Sequence, residues 1–193
     1  KDAIKLWAEH AEQSPADAED VRLCPIAMQL PLITKMDASL ANLKKCKHLR
    51  LSTNAIDRIN HLHGMDSLQI LSLGRNQIKK IEALEPVADT LEQLWLSYNQ
   101  IASLAGVEKL PNLLVLYMSN NRINSWSEVE RLSHCPKLRD LLLVGNPLHK
   151  SFLEANGNDH HAWRIEVLKR VPSLKIIDGQ LVDDEEREEA RNA

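Results

Sequence analysis

The sequence predicts an α/β solenoid with a parallel β-sheet on its concave side, short helices on the convex side and helical caps at both ends. Three observations carry that prediction. One phrase returns five times along the 193 residues, leucines within it alternate with period two, and an asparagine closes each copy at nearly constant spacing.

The phrase reads CKHLRLSTNAI from Cys46, LQILSLGRNQI from Leu68, LEQLWLSYNQI from Leu91, LLVLYMSNNRI from Leu113 and LRDLLLVGNPL from Leu138. The asparagines stand at 54, 76, 99, 121 and 146, giving spacings of 22, 23, 22 and 25 residues. This is the leucine-rich-repeat template L-x-x-L-x-L-x-x-N-x-L. Its fourth and sixth positions, Leu49/Leu51, Leu71/Leu73, Leu94/Leu96, Leu116/Met118 and Leu141/Leu143, alternate as a strand with one buried face requires. The asparagine falls where the chain leaves the strand, and its side chain can bond the backbone there, so stacked copies should build an asparagine ladder. Apolar pairs such as Ile56/Ile59, Ile78/Ile81, Ile101/Leu104 and Ile123/Trp126 should plug the core from the turn side. The stretches between, such as HLHGMDS and AGVEKLPN, leave room for one or two helical turns. No repeat can bury its apolar face alone, so the ends need caps.

Upstream, Ile4, Trp7, Ala8 and Ala11 follow the i, i+3, i+4, i+7 spacing of an amphipathic helix. Ser14-Pro15 supplies cap and first-position signals for a second helix, with Asp17 and Glu19 in its first turn. Residues 30–45 read as a degenerate first repeat. Downstream, WRIEVLKRVPSLKIIDG reads as a helix ended before Pro172 and followed by a short strand and an Asp178-Gly179 turn. HKSFLEANGNDHHA before it reads as irregular, and VDDEEREEARNA as a segment that could be helical but has almost no apolar face, either solvated or docked against something. The resulting division is one domain, with 1–45 as cap and degenerate repeat, 46–150 as five repeats, 151–182 as C-terminal cap and 183–193 as an acidic tail.

On such a sheet the core leucines dictate which residues face outward. The third template column runs His48, Ile70, Gln93, Val115, Asp140, and the fifth runs Arg50, Ser72, Trp95, Tyr117, Leu142. The seventh is mostly small, ending in Val144, and the eighth runs Thr53, Arg75, Tyr98, Asn120, Gly145. The candidate partner-binding surface is therefore Ile70, Trp95, Tyr98, Val115, Tyr117, Leu142 and Val144, with Arg50, Arg75 and His48 toward one end. Aromatics are 4% of the chain, yet both tyrosines fall in this patch with one of four tryptophans. Contiguous outward apolar surface with Trp, Tyr and Arg marks interaction sites. A helix lying across the strands would suit it; the competing expectation is that the C-terminal loop or tail covers it.

Composition excludes other classes. The chain is 44% hydrophobic and 26% charged with net charge −3, ordinary values for a soluble domain. Between Asp183 and Glu189 six carboxylates face a single arginine, and the rest of the chain carries only a small basic excess. Nucleic-acid binding is not indicated. No apolar run is long enough for a membrane span, and the amino terminus lacks a secretory signal's apolar core. Cys24, Cys46 and Cys135 lack metal-ligand spacing and suggest no disulfide scaffold, which fits a reducing compartment. His61, His63, His160 and His161 offer no third or fourth partner for zinc and read as solvated loop residues. No phosphate loop or nucleophile elbow is present, so neither catalytic residues, cofactor nor metal are expected.

Beyond the template, KMDASLANLKKCKHLRLSTN, LSLGRNQIKKIEAL, DTLEQLWLSYNQIASLAGVEKL, VLYMSNNRI, LLLVGNPL and RIEVLKRVPSLKIIDG closely resemble the leucine-rich-repeat light chains of ciliary outer-arm dyneins. The resemblance covers nearly the whole chain, although SFLEANGNDHH and the last residues depart from the family pattern. It implies a non-catalytic, monomeric subunit of the outer arm in the ciliary axoneme. Its partner would be the γ heavy chain, at the microtubule-binding tip of the stalk, with tubulin close by and motor attachment tuned in consequence. The family's strand face corresponds to Trp95, Tyr98, Tyr117 and their neighbours. The C-terminal element with Arg187 and Arg191 corresponds to one that projects toward motor or track. The repeats alone also admit a regulatory subunit of a protein phosphatase and, more weakly, an RNA- or histone-binding scaffold.

Overall fold

Period-two burial becomes a continuous sheet when each three-residue strand stacks on the last. In the computed structural model, which describes residues 1–23 and 31–192, eight strands follow one another in sequence order. They are β1 (Asp20–Arg22), β2 (His48–Arg50), β3 (Ile70–Ser72), β4 (Gln93–Trp95), β5 (Val115–Tyr117), β6 (Asp140–Leu142), β7 (Ile176–Ile177) and β8 (Gln180–Leu181). Every neighbouring pair is parallel except the β7–β8 hairpin. Leu49, Leu71, Leu94, Leu116 and Leu141 stand in register beneath the sheet, each with no exposed surface. The plug residues Ile56, Ile59, Ile78, Ile101, Leu104 and Ile123 close the core from the opposite side. There the chain returns through short 3₁₀ turns at Glu85–Val87, Val107–Lys109 and Arg131–His134 and the helix α2 (Trp126–Glu130), as expected of a convex side.

The asparagine ladder forms. Asn76 Oδ1 accepts the Ile56 N–H at 3.0 Å, while its Nδ2 donates to the Leu51 and Leu73 carbonyls at 3.0 and 2.9 Å. Asn54, Asn99, Asn121 and Asn146 repeat this three-bond pattern. Each rung satisfies backbone groups that would otherwise be buried unpaired. The tight turn above each rung forces the eighth template residue into the left-handed region. Thr53, Arg75, Tyr98, Asn120 and Gly145 have φ of 62°, 55°, 60°, 53° and 82°. At Gly145 a Cβ would lie 2.3 Å from Asn120 Oδ1, so a larger residue there would have to push the Asn120 side chain aside as well as take up the left-handed φ. Asp178 ends the ladder: its Oδ1 accepts the Leu143 and Val144 N–H groups at 2.6 and 2.8 Å, and Oδ2 accepts Trp163 Nε1 at 2.8 Å.

The caps differ from expectation in two places. Helix α1 (Asp2–Ala11) buries Ile4 and packs Trp7 on the core as foreseen, but Ser14-Pro15 opens a turn rather than a second helix. Asp17 and Glu19, read as first-turn helix carboxylates, instead pair with Lys45 and Lys47 at 2.7 and 2.9 Å. This pins the entry to β1, whose Val21 is buried between outward Asp20 and Arg22. The first repeat's strand therefore precedes residues 30–45, whose described part holds a 3₁₀ turn at Ala38–Asn42 capped by Asp37. Cys24 and Leu30 lie outside the described residues.

The second difference is the stretch read as irregular. Helix α3 (Pro147–Ala155) occupies much of it, with proline at its start and Leu148 and Leu153 buried. The chain breaks at Gly157 and Asn158, both left-handed, and α4 (His160–Arg170) follows, capped by Asp159. His160 and His161 are thus helical, not loop, residues. The acidic segment takes the helical, docked form among those expected, as α5 (Asp184–Asn192) packed on α4. Burial pushes the Cys46 thiol up to about 12 and that of Cys135 to about 11, so neither is a nucleophile at neutral pH.

Candidate functional site

The strand register brings the outward columns together as the sequence anticipates. His48, Ile70, Gln93, Val115 and Asp140 align across β2–β6, as do Arg50, Ser72, Trp95, Tyr117 and Leu142. At the centre, the Trp95 and Tyr117 rings stack at 5.8 Å and 27°, and His48 meets Trp95 edge-on at 5.4 Å. Flat aromatic surface is thereby fixed without help from any ligand, which lowers the entropy lost on binding. Tyr98 and Val144 extend the surface along the strand ends and remain 48% and 37% exposed. Ile70, Val115 and Leu142 are half-buried between these groups.

The polar groups of the face are held as firmly. Tyr117 donates its hydroxyl to Asp140 Oδ2 at 3.0 Å, and His48 Nε2 bonds Ser72 Oγ at 2.9 Å. Burial, assisted by the nearby Arg50 charge, lowers the His48 pKa, so the ring is neutral at physiological pH. Burial raises the Asp140 pKa, and the Tyr117 hydrogen bond opposes the shift. Arg50 forks onto Asp20 at 2.9 and 2.7 Å, which turns it toward the sheet edge and away from the aromatic centre. Arg75 instead lies over the Tyr98 ring, 4.4 Å from its centroid. Trp95 Nε1 and Ser97 Oγ are buried without a hydrogen-bond partner among the described residues.

Among the described residues α4 packs against α3 and α5, while Tyr98 and Val144 stay exposed on the face. Reading the columns alone missed Asp20 and Arg22, because β1 was not recognised as a strand. A signal existed: Ala18, Val21 and Leu23 occupy the first, fourth and sixth template positions, but position 26 is isoleucine instead of asparagine. Asp140 was placed in its column but not in the candidate set, although its bond orients Tyr117. Among the described residues no cluster of His, Cys, Asp and Glu could hold a metal ion, and no helix is long and apolar enough to cross a membrane.

Relatives decide what kind of solenoid this is. Residues 89–131 match the family model "Leucine Rich repeats (2 copies)". The chain is 56% identical over 193 residues to Dynein axonemal light chain 1 of Chlamydomonas reinhardtii, covering 100% of this chain and 95% of that protein. The chain belongs to the dynein axonemal light chain 1 family. The family member of Rattus norvegicus is 47% identical over 189 residues, with 98% of this chain and 95% of the relative covered. That of Homo sapiens is 46% identical over 189 residues, again with 98% and 95% covered. Among solved structures, a chain of the Drosophila melanogaster SNF/U2A′ complex superposes with TM-score 0.66 at 21% identity, covering 83% of this chain and 92% of that one. Internalin C2 of Listeria monocytogenes gives TM-score 0.59 at 24% identity, covering 82% and 58%. At such identities these two speak for the leucine-rich-repeat fold that the light-chain family shares, and for nothing finer.

Proposed function

We propose that this protein is a non-catalytic light chain of the ciliary outer dynein arm, working as one leucine-rich-repeat domain in the axoneme. It binds the microtubule-binding stalk tip of the γ heavy chain through its concave strand face and so regulates how the motor engages the microtubule. The observation that carries this reading is the in-register column Trp95–Tyr117–Leu142, a pre-arranged aromatic and apolar surface beside which Tyr98 and Val144 stay exposed. Such anchors supply most of the binding energy in protein interfaces. Dynein membership turns the generic interaction surface into one aimed at a motor subunit. Arg187, in the element that family resemblance has projecting outward, donates to the Pro172 and Leu174 carbonyls at 3.3 and 2.7 Å. It is therefore a cap residue, and the strand face is the better contact surface.

The test is a pull-down of the full light chain with the isolated stalk-tip domain of each heavy chain, with and without tubulin. Selective retention of the γ stalk tip supports the proposal. Equal retention of none or all removes the γ assignment, and retention that requires tubulin moves the site toward the track.

A further inference from the structure

The concave face carries charge as well as apolar surface, and most of that charge is already engaged. Arg50 is paired with Asp20, His48 with Ser72, and Asp140 with the Tyr117 hydroxyl. Arg75 differs. It is exposed, follows β3 directly, and makes no ion pair or side-chain hydrogen bond among the described residues. Its left-handed backbone, with φ 55°, sets the side chain on the rim, and its guanidinium carbon lies over the Tyr98 ring, 4.4 Å from the centroid. Tyr98 has the same backbone twist, at φ 60°, so the two side chains leave equivalent turns of adjacent repeats. A guanidinium seated over a ring still has its N–H donors to offer, and their planar fork matches a carboxylate in bidentate fashion.

We propose that Arg75, seated on Tyr98, reads a carboxylate on an amphipathic helix of the partner that lies across β4–β6. The inference rests on the strand face being the docking surface and adds the chemistry of what docks. Strands are spaced at ~4.8 Å and a helix rises ~1.5 Å per residue, so a helix crossing the sheet advances about three residues per strand. Apolar residues at i, i+3 or i+4, and i+7 of the partner therefore meet Trp95, Tyr117 and Leu142 in turn. The helix is wide enough that its flank reaches the rim formed by the eighth template column, where Arg75 and Tyr98 stand. An acidic side chain on that flank would pair with the Arg75 guanidinium. Asp140, at the far strand and on the opposite side of the column, repels a carboxylate placed there. The two charges thus fix which way round the helix lies as well as what it carries.

The experiment measures binding of the full-length light chain to the γ stalk-tip domain at about 50 mM and about 500 mM salt. The variants are Arg75→Glu, Arg75→Lys and Trp95→Ala, each first shown to melt like the parent. Arg75→Glu should weaken binding by at least ~10-fold at low salt, and by much less at high salt. Arg75→Lys should recover only part of that loss, because it keeps the charge but not the fork. Trp95→Ala should weaken binding at both salt concentrations. If Arg75→Glu binds like the parent at low salt while Trp95→Ala does not, the carboxylate inference fails and the strand face stands. If neither variant loses affinity, the docking surface fails as well. Tighter binding by Arg75→Glu would mean that the partner presents a basic flank, and would also overturn the inference.

Discussion

Arg164 of α4 and Glu186 of α5 form a buried ion pair, with Arg164 Nη2 2.8 Å from Glu186 Oε2 and both residues less than a tenth exposed. The same guanidinium donates to the Ile177 and Leu181 carbonyls, each at 2.8 Å, so one side chain ties the last helix to the last hairpin. The acidic segment is held by one of its own carboxylates. Glu186→Ala leaves Arg164 charged and buried, and should cost about 3–5 kcal/mol of cap stability. Hydrogen exchange across residues 176–192 checks this, with protection expected to fall there first.

The pH dependence follows from the same contact. The Arg164 ion pair holds the Glu186 carboxyl below the usual range, against the opposing effect of burial. Its contribution is complete above the ordinary glutamate value of about 4.3, and is lost as pH falls through the depressed folded value. His161 adds a weaker contribution of opposite sense. Glu189 raises its pKa through a 2.7 Å contact, so that stabilisation is full below the ordinary histidine value and fades as pH rises through the raised one. Protection of α5 should therefore drop sharply in acid and ease slightly above neutrality. An unchanged α5 at pH 3 would contradict the ion pair's role.

Two substitutions separate the core from the ladder. Leu94→Ala opens a cavity at a residue with no exposed surface and should cost about 2–5 kcal/mol. Asn99→Ala removes bonds to the Leu73 and Leu96 carbonyls and from the Ile78 N–H. With about 1–3 kcal/mol at stake for a buried group left unpaired, its cost should rival that of Leu94→Ala despite the smaller apolar loss. Chemical denaturation of both variants decides this, and a loss below ~1 kcal/mol in either would mean the repeat register is misplaced.

Tyr98 separates folding from recognition. Its φ of 60° is strained for a side chain with a Cβ and free for glycine. Tyr98→Gly should leave thermal stability equal to or above that of Tyr98→Ala, while both weaken stalk-tip binding. A glycine variant that melts well below the alanine variant would contradict the strain assigned to this φ, and parental stalk-tip binding by both variants would remove Tyr98 from the interface.

Deleting residues 183–193 would test the tail's charge only by destroying the cap. The exposed carboxylates Asp184, Glu185 and Glu188 allow a cleaner test. Changing all three to their amides keeps Glu186 and removes like charge facing an acidic microtubule surface. Microtubule attachment of the light-chain–stalk-tip complex should stay equal or tighten, most at low salt. Markedly weaker attachment would mean that these carboxylates make a favourable contact.

The repeat stack was legible because its constraint is periodic: Leu71, Leu94 and Asn99 are each fixed by position within a phrase that recurs. The outward columns followed, and with them Trp95, Tyr117 and Leu142. What escaped was aperiodic. Strand β1 lacks the asparagine that marks its siblings, and Asp17 and Glu19 resemble a helix start until Lys45 and Lys47 arrive from the next repeat. Helix α3 hid behind a polar stretch whose few apolar residues, among them Phe152 and Leu153, gain meaning only once Trp126 and Trp163 pack beside Phe152. The role of Arg164 depends on carbonyls 13 and 17 residues away, a relation no local pattern displays.

The most direct measurement is the affinity of the γ stalk-tip domain for the light chain carrying Trp95→Ala and Tyr117→Ala, singly and together, by isothermal titration. Each single change should cost at least ~2 kcal/mol of binding if these rings are the anchors, with the fold intact by circular dichroism. A double variant that binds with the parent's affinity would contradict the strand face as the site.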